Sequence, residues 1–249
     1  MADQWTAEEI DIVNKYFTTN VTEMTLYQRL HKISPHRSYE ALTRRLRRMR
    51  AKGWTRTKDD ALSRLRVGYL DIEATNLNAD FGIILSWFIK KEGRNEYDSS
   101  VITRDEILSY KFDYRVVKEL LAALDNYDVL YVHYGSDRRF DIPYIRSRAY
   151  ALGLENSLPK RMEKFILDTY PIARNKLKLH SNRLDSIANA LQIKGVKKTP
   201  LNPEKWRLAA YGNKEALDYI ALHNKRDVQL LERVHKKLRI VERPIYRGM

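Results

Sequence analysis

Apolar positions follow a helical spacing in the first fifty residues of the chain, and the spacing becomes mixed from residue 67 onward. In the first part, apolar residues recur every three or four positions in three short segments. The first segment starts near Thr6, the second lies within residues 22–31, and the third runs from about Ser38 to about Lys52. The pattern predicts a small unit of three helices that ends at Gly53, a residue typical of helix C-termini.

The remainder of the chain alternates between strand and helix patterns. Short runs rich in β-branched and aromatic residues predict strands at residues 67–74, 81–90, 96–102, 129–133 and 165–167. Longer runs with helical spacing predict helices within residues 108–126, 141–152, 171–177, 184–191 and 214–238. Three consecutive strands, followed by a crossover helix and a parallel strand, predict an α/β domain with a mixed sheet flanked by helices.

The composition narrows the class of protein. Hydrophobic residues make up 43% of the 249 positions and charged residues 31%, which is typical of a globular chain. The absence of cysteine excludes disulfide bonds and thiolate metal sites. No apolar run approaches the length of a membrane span, and no signal-peptide pattern opens the chain. We therefore expect an intracellular location, in cytoplasm or nucleoid, and no membrane partner.

The net charge of +14 is unevenly distributed along the chain. Residues 37–58 contain nine Lys or Arg against one acid, Glu40. A local excess of this size favours a polyanionic partner, with nucleic acid ahead of a membrane surface. The alternative is a general charge that serves only solubility.

The third predicted helix carries most of this local charge. Outside its apolar stripe, the helix carries five arginines: Arg44, Arg45, Arg47, Arg48 and Arg50. A unit of three short helices whose last helix is this basic is typical of a helix-turn-helix reader of DNA. We therefore predict that residues 1–52 form a nucleic-acid-binding module and that residues 53–66 form a linker.

The same segment has two short stretches that resemble a known DNA-binding fold. Trp-Thr-Ala-Glu-Glu occupies residues 5–9 at the start of the first helix, and Arg-Ser-Tyr-Glu-Ala-Leu occupies residues 37–42 at the start of the third. These stretches resemble the Myb/SANT-like fold, in which the third helix enters the major groove, and the resemblance favours DNA over RNA. Two alternatives are a basic helix that is only solvated and a SANT-like module that binds protein.

The first strand of the α/β part carries two acids. Period-2 alternation places Leu70 and Ile72 on one face and Asp71 and Glu73 on the other. Two carboxylates side by side on an apolar strand lose hydration and repel each other, and a divalent cation removes both penalties. The alternative is a strand whose acidic face lies in solvent.

Two further acids occur later in the chain. Asp141 opens a helix after the apolar strand at 129–133, where it either caps the helix or binds a ligand. Asp227 falls on the apolar stripe of the final helix, seven residues after Ile220, where an acid is costly unless it is paired or binds a metal. His223 lies one turn before Asp227 on the same face and is a candidate structural donor, ligand or base.

The acids and histidines lie within three short sequence motifs. They are Asp-Ile-Glu at 71–73, His133 followed by Phe-Asp-Ile-Pro at 140–143, and His-Asn-Lys-Arg-Asp at 223–227. In this order and spacing they resemble the three motifs of the DEDD superfamily, and within it the predicted exonucleases of the YprB-like ribonuclease H domain. The resemblance implies an RNase H-like fold and a 3′–5′ exonuclease, to which we assign residues 67–249.

The resemblance also implies a set of metal ligands. By this similarity Asp71, Glu73, Asp141 and Asp227 bind two divalent ions, Mg²⁺ or Mn²⁺, that hold the attacking and leaving oxygens of a phosphodiester. The fifth position departs from the family, because one subgroup has tyrosine four residues before the last aspartate and another has histidine five before it. Here histidine stands four before. The ordinary pKa of histidine, about 6.5, suits a general base, so we predict that His223 is the base or orients the water.

Other candidate positions have simpler alternatives. Lys197 and Lys198 lie in a basic loop that reaches Lys205 and Trp206, and we predict that this loop contacts nucleic acid by phosphate pairing or base stacking. Solvated loop charge is the alternative. Asp168 follows a short strand and is expected either to cap a helix or to orient the site.

The sequence as a whole predicts a two-domain, metal-dependent nuclease, with 3′–5′ exonuclease activity on DNA as the preferred form. The first alternative is an endonuclease or ribonuclease that acts on structured or RNA-containing substrate. The second is a catalytically silent DNA-binding regulator, and the presence of all four acids argues against it.

Overall fold

The computed structural model describes residues 5–18, 23–51, 65–159, 165–195 and 199–242. Contacts between residues divide the chain into two units, Met1–Leu65 and Arg66–Met249. Lys197, Lys198 and residues 53–64 of the predicted linker lie outside the described residues. Each unit has its own hydrophobic core.

The first unit contains the helices α1 (Ala7–Thr18), α2 (Glu23–Ile33) and α3 (Tyr39–Ala51). Its core comes from the apolar stripe of each helix: Val13, Leu26, Leu30, Leu42, Leu46 and Met49. A capping box opens α1, because the Thr6 hydroxyl accepts from the Glu9 amide and the Glu9 carboxylate accepts from the Thr6 amide. The helices lie where the apolar spacing predicts them.

A buried ion pair joins α1 to the turn before α3. Arg37 donates to both carboxylate oxygens of Glu9, at 2.8 and 2.9 Å. These hydrogen bonds are the main reason that the pKa of Glu9 is lowered to about 2. The guanidinium groups of Arg37 and Arg45 both lie over the ring of Trp5, at 4.6 and 4.7 Å from its centroid. The ion pair and the ring together hold α3 to the start of α1.

The second unit is built on a sheet of β1 (Val67–Ala74), β2 (Ile84–Lys91), β3 (Tyr97–Val101), β4 (Val129–Val132) and β5 (Phe165–Asp168). The strand order is β3-β2-β1-β4-β5. The pairs β1–β2 and β2–β3 are antiparallel, whereas β1–β4 and β4–β5 are parallel. The predicted mixed sheet is confirmed. The second strand begins three residues later than predicted, at Ile84, because Phe81 lies in the preceding turn with 80% of its surface exposed.

Helices flank this sheet. Their bounds are α4 (Arg104–Leu108), α5 (Tyr114–Leu124), α6 (Asp141–Ala151), α7 (Thr169–Lys176), α8 (Leu184–Ala190), α9 (Pro203–Ala210) and α10 (Lys214–Glu242), with a 3₁₀ turn at Glu155–Ser157. The hydrophobic pattern does not predict α4 or α9, because five and eight residues are too few to show a clear helical period. Their sequence signal is a capping side chain, Thr103 for α4 and Asn202 for α9. Among the described helices, none is long and apolar enough to cross a membrane.

The two faces of β1 pack against different layers. Leu70 and Ile72 belong to a core that includes α5. Tyr69 belongs to a second core beneath α10. Because side chains alternate along a strand, Asp71 and Glu73 follow Tyr69 on the face that α10 covers.

Buried polar contacts fix the second half of α10 to the sheet. Lys90 of β2 lies 2.6 Å from Glu232, and both side chains are more than nine-tenths buried. His235 is fully buried, and its Nδ1 atom lies 2.9 Å from the Tyr69 hydroxyl. The imidazole also stacks on Tyr131, with 3.6 Å between ring centroids. These contacts set the rotation of the helix about its own axis.

Candidate active site

The two acids of β1 lie near the end of the strand. In the antiparallel register Glu73 lies opposite Ser86 of β2, and Asp71 lies two residues earlier on the same face. The register shifts between Glu73 and Ala74, where β1 ends. The acids therefore share the face beneath α10, as the period-2 spacing predicts.

Three potential ligand side chains meet between β1 and α10. One ligand atom from each of Glu73, His223 and Asp227 lies within 4.8 Å of the other two. The Nε2 atom of His223 lies 3.6 Å from Glu73 Oε1 and 3.5 Å from Asp227 Oδ2. The imidazole is buried, and each carboxylate side chain is 15% exposed. The imidazole therefore lies between two carboxylates in a site that solvent reaches only in part.

Asp71 is connected to this group through Asn224. The Nδ2 atom of Asn224 donates to Asp71 Oδ2 at 2.5 Å, and its Oδ1 atom accepts from the Ser86 hydroxyl at 3.0 Å. Asn224 is fully buried and follows His223 on α10. The sequence patterns do not single out Asn224, and its only signal is its place within the motif at 223–227.

The carboxylates influence one another's ionisation. Burial raises the pKa of Asp71 well above its ordinary range, and the charges of Glu73, Asp141 and Asp227 raise it further. The pKa of Asp141 is raised to about 8, mainly by burial and then by the charge of Asp168. The acids are thus close enough to disfavour one another's charged form, and a bound divalent cation relieves that penalty.

Asp141 is the first residue of α6 and is almost fully buried. The capping alternative is wrong for this residue, because Phe140 occupies the N-cap position. Its carboxylate lies against Gly135, where an added β-carbon would overlap Asp141 Oδ2. Glycine is therefore required at position 135, since any side chain would displace the carboxylate.

Asp168 anchors the loop between β4 and α6. Its carboxylate accepts from the amides of Tyr134, Ser136 and Tyr170, at 2.9, 3.1 and 2.8 Å, and from the Ser136 hydroxyl at 2.8 Å. Asp168 is also the N-cap of α7. The predicted helix cap is therefore confirmed, and the same carboxylate holds the loop that carries Gly135; a role in orienting the site stays a prediction.

Trp206 closes one side of the site. Its Nε1 atom donates to Glu73 Oε2 at 3.2 Å, and its ring meets that of His223 edge to face, with 5.1 Å between centroids. Trp206 lies on α9, in a stretch that the hydrophobic pattern treats as a loop. The residue therefore contacts two site side chains from a helix, which the sequence does not predict.

The arginines predicted to bind nucleic acid have different surroundings within the first unit. Four of them are exposed on α3: Arg44, Arg47, Arg48 and Arg50. Arg45 packs on Trp5, and burial lowers the pKa of Arg45 from its ordinary value. Arg50 forms an ion pair with Glu23 at 2.6 Å. Only part of the predicted set therefore presents its charge directly to solvent.

The donor set of the site suits a hard divalent cation. Carboxylate oxygens are the ligands that Mg²⁺ and Mn²⁺ prefer, and one imidazole nitrogen adjoins them here. The raised pKa values of Asp71 and Asp141 indicate that these buried carboxylates would gain from a nearby positive charge. The residues present therefore fit a divalent metal site.

A protein-family model, that of the RNase H superfamily, matches residues 68–239. The match spans well over half of the chain and includes all five strands, except the first residue of β1, and most of α10. No curated protein matches the chain. The matched range contains every carboxylate described at the site.

Proposed function

The chain belongs to the RNase H superfamily, and on that premise we propose that it is a divalent-metal-dependent nuclease of the DEDD type, a 3′–5′ exonuclease that acts on DNA. Membership of the superfamily supports a nuclease-type hydrolase with nucleic acid as its substrate. The DEDD assignment is supported by the order of Asp71, Glu73, Asp141 and Asp227 along the chain.

The observation that carries the proposal is the meeting of Glu73, His223 and Asp227, with Asp71 hydrogen-bonded to the same turn of α10. Buried like charges destabilise a fold unless a cation compensates them. A core-facing cluster of acids is therefore better explained by metal binding than by packing.

Asp71, Glu73, Asp141 and Asp227 are the residues that would hold the cations. When bound, two such ions lower the pKa of a water molecule and stabilise negative charge on a phosphodiester. The Nε2 atom of His223 lies 3.6 Å from Glu73 Oε1 and 3.5 Å from Asp227 Oδ2, so this ring nitrogen adjoins two of these carboxylates. We assign to His223 the acceptance of a proton from the attacking water, or the orientation of that water.

The preference for DNA is supported by the first unit. Its third helix presents Arg44, Arg47 and Arg48 to solvent, where their charges can pair with phosphates. A basic third helix on a three-helix unit suits a reader of the major groove. In this proposal the first unit raises the local concentration of DNA around the nuclease unit.

The experiment compares the full-length protein with the variants Asp71→Asn and Asp218→Asn. Asp218 is exposed on α10, so its variant controls for the loss of one charge. The substrates are 5′-labelled single-stranded DNA, RNA of the same sequence and a covalently closed DNA circle, each with Mg²⁺, Mn²⁺ or EDTA. We expect linear DNA to shorten from its 3′ end with either metal, no cleavage with EDTA or Asp71→Asn, and an intact circle.

Other outcomes would change the assignment. Cleavage of the circle would replace the exonuclease with an endonuclease, and faster degradation of RNA would replace DNA as the substrate. Equal, metal-independent background for the parent protein and Asp71→Asn would reject the enzyme and leave a nucleic-acid-binding protein.

A further inference from the structure

The loop between β4 and α6 brings together an aromatic and cationic group that hydrolysis itself does not use. The guanidinium of Arg139 lies over the rings of Tyr134 and Tyr170, at 4.9 and 4.3 Å from their centroids. The two rings meet edge to face at 4.8 Å. Tyr134 is 48% exposed, so a large part of its ring faces solvent. We call these three residues the Tyr–Arg cluster.

The backbone of Tyr134 is strained. Its φ is +60°, in the left-handed region that residues with a β-carbon rarely adopt. Two hydrogen bonds hold it there, from the Tyr134 amide to Asp168 Oδ1 at 2.9 Å and from the Phe140 amide to the Tyr134 carbonyl at 3.1 Å. Strained residues cluster at functional sites, and here the strain holds a half-exposed ring in place.

The Tyr–Arg cluster adjoins the carboxylates of the site. Gly135, the residue after Tyr134, is the one that lies against Asp141 Oδ2. Asp168 binds the amides of Tyr134 and Tyr170, and its Oδ2 atom lies 3.5 Å from Arg139 Nε. The Tyr–Arg cluster is therefore joined to Asp141 through Gly135 and to Asp168 through hydrogen bonds, on the side of the site that these two carboxylates occupy.

We propose that Tyr134 stacks on a nucleobase of the substrate strand next to the scissile phosphate, while Arg139 and Tyr170 hold the ring and Arg139 adds positive charge. The inference rests on the proposed nuclease function, because it places the strand at the same carboxylates. Stacking on an aromatic ring tolerates any base, since every base has a π face, and arginine adds cation–π and phosphate attraction. The Tyr–Arg cluster thus positions a strand without reading its sequence.

The test measures binding of the full-length protein to fluorescein-labelled single strands by anisotropy, with EDTA present so that no strand is cut. One probe is a thymidine oligonucleotide, and the other has the same length and charge but lacks a base at every position. The variants are Tyr134→Asn, Tyr134→Phe and Tyr170→Leu, because asparagine tolerates a left-handed backbone and phenylalanine keeps the ring. Tyr150→Leu is the control, since Tyr150 is exposed on α6.

We expect Tyr134→Asn and Tyr170→Leu to bind the base-bearing probe about 5- to 100-fold more weakly and the abasic probe within twofold of the parent protein. Tyr134→Phe and Tyr150→Leu should bind both probes as the parent does. Equal binding of both probes by the parent, or an unchanged preference in Tyr134→Asn, would overturn the inference.

A purely structural role for the ring gives a different result. Tyr134→Asn would then weaken both probes equally and lower the unfolding temperature, and this outcome also rejects stacking. None of these readouts needs hydrolysis. If the parent protein distinguishes the probes but cleaves nothing, the nuclease is rejected and the stacking site is supported. If it cleaves DNA but shows no preference between the probes, the stacking site is rejected and the nuclease is supported.

Discussion

Asn224 donates a 2.5 Å hydrogen bond to Asp71, and this bond joins the strand that carries two of the acids to the helix that carries a third. The amide oxygen of Asn224 accepts from Ser86 at the same time, which fixes the amide so that its NH₂ group faces Asp71. Burial nevertheless raises the pKa of Asp71 by more than this hydrogen bond lowers it. Asn224 therefore holds the Asp71 carboxylate in place, and we expect it to act on the site through Asp71.

Replacing Asn224 should impair catalysis through the metal site. We expect Asn224→Leu to lower kcat/KM by about 10- to 100-fold and to raise the Mg²⁺ concentration needed for half-maximal rate, because Asp71 loses its donor. Initial rates over a Mg²⁺ series measure both effects. Asn189→Leu, at an exposed position of α8, is the control. Rates within twofold of the parent protein at every metal concentration would contradict the positioning role.

Metal binding should stabilise the protein against heat. A cation that binds only the folded state at 100 times its Kd adds about 2.7 kcal/mol, which corresponds to a shift of roughly 5–10 °C in a chain of this size. Differential scanning calorimetry with Mg²⁺ and Mn²⁺ measures the shift. Asp227→Asn should lose most of it, and Asp218→Asn should retain it. An equal shift in both variants would place the cation elsewhere.

The role of His223 can be separated from metal binding by kinetics. We expect His223→Ala to lower kcat by about 10²-fold or more, because proton transfer loses its positioned acceptor. His180→Ala is a suitable control, since His180 is exposed. Single-turnover rates under saturating metal and substrate measure the effect. A near-parental rate would assign proton transfer to another group.

Three of the exposed arginines of α3 should contribute much of the salt dependence of DNA binding. We expect the triple variant of Arg44, Arg47 and Arg48 to Gln to reduce the slope of log K against log salt by up to about 2.7, since each phosphate contact contributes about 0.9. Anisotropy titrations over a salt series measure the slope. The double variant Arg29→Gln with Lys32→Gln removes exposed charge from α2 and should change the slope little. Identical slopes in the parent and the triple variant would reject DNA binding by α3.

The Glu9–Arg37 pair should make the first unit sensitive to acid. The pKa of Glu9 is about 2 when folded, against an ordinary value of 4.5, so the unfolded chain binds more protons between these values. The stabilisation is therefore complete above about pH 4.5 and is lost as the pH falls through about 2. Carboxyl NMR of Glu9 measures the pKa, which should rise in Arg37→Met.

The same variant tests the stabilising effect of the ion pair. Arg37→Met removes one partner of a buried pair, so we expect it to destabilise the first unit by about 3–5 kcal/mol. Arg29→Met, at an exposed position, should change stability by less than about 0.5 kcal/mol. Titration of Glu9 near 4.5 in the parent protein would show that the pair does not hold the carboxylate charged.

The elements of the fold could be predicted from sequence because the spacing of apolar residues shows which face of each helix or strand is buried. Leu70 and Ile72 alternate with Asp71 and Glu73, and the sheet buries the first pair on one face and turns the second pair toward α10. Helical spacing likewise predicts the core of the first unit. Whether that unit reads DNA stays a prediction, as does any role of Lys197 and Lys198.

The contacts that complete the site could not be predicted in the same way. The partners of Asn224, Asp168 and Trp206 lie 153, 34 and 133 positions away in the sequence. The spacing of apolar residues does not indicate polar contacts over such distances. Asn224 interrupts an apolar stripe, so a hydrophobic pattern treats it only as a mismatch. Trp206 is missed as a site neighbour because α9 is recognised by its cap at Asn202 rather than by its apolar content.

α10 has 29 residues and is about 44 Å long, with the site in its first half and the anchors Glu232 and His235 in its second. Successive residues of a helix are about 100° apart, so a slip of one position at the anchors would turn the site residues away from β1. Substitutions at Lys90 or Tyr69 that let α10 turn in this way would inactivate the protein although all its acids are present. A survey that ranks related chains only by their acidic motifs would count such inactive chains as nucleases.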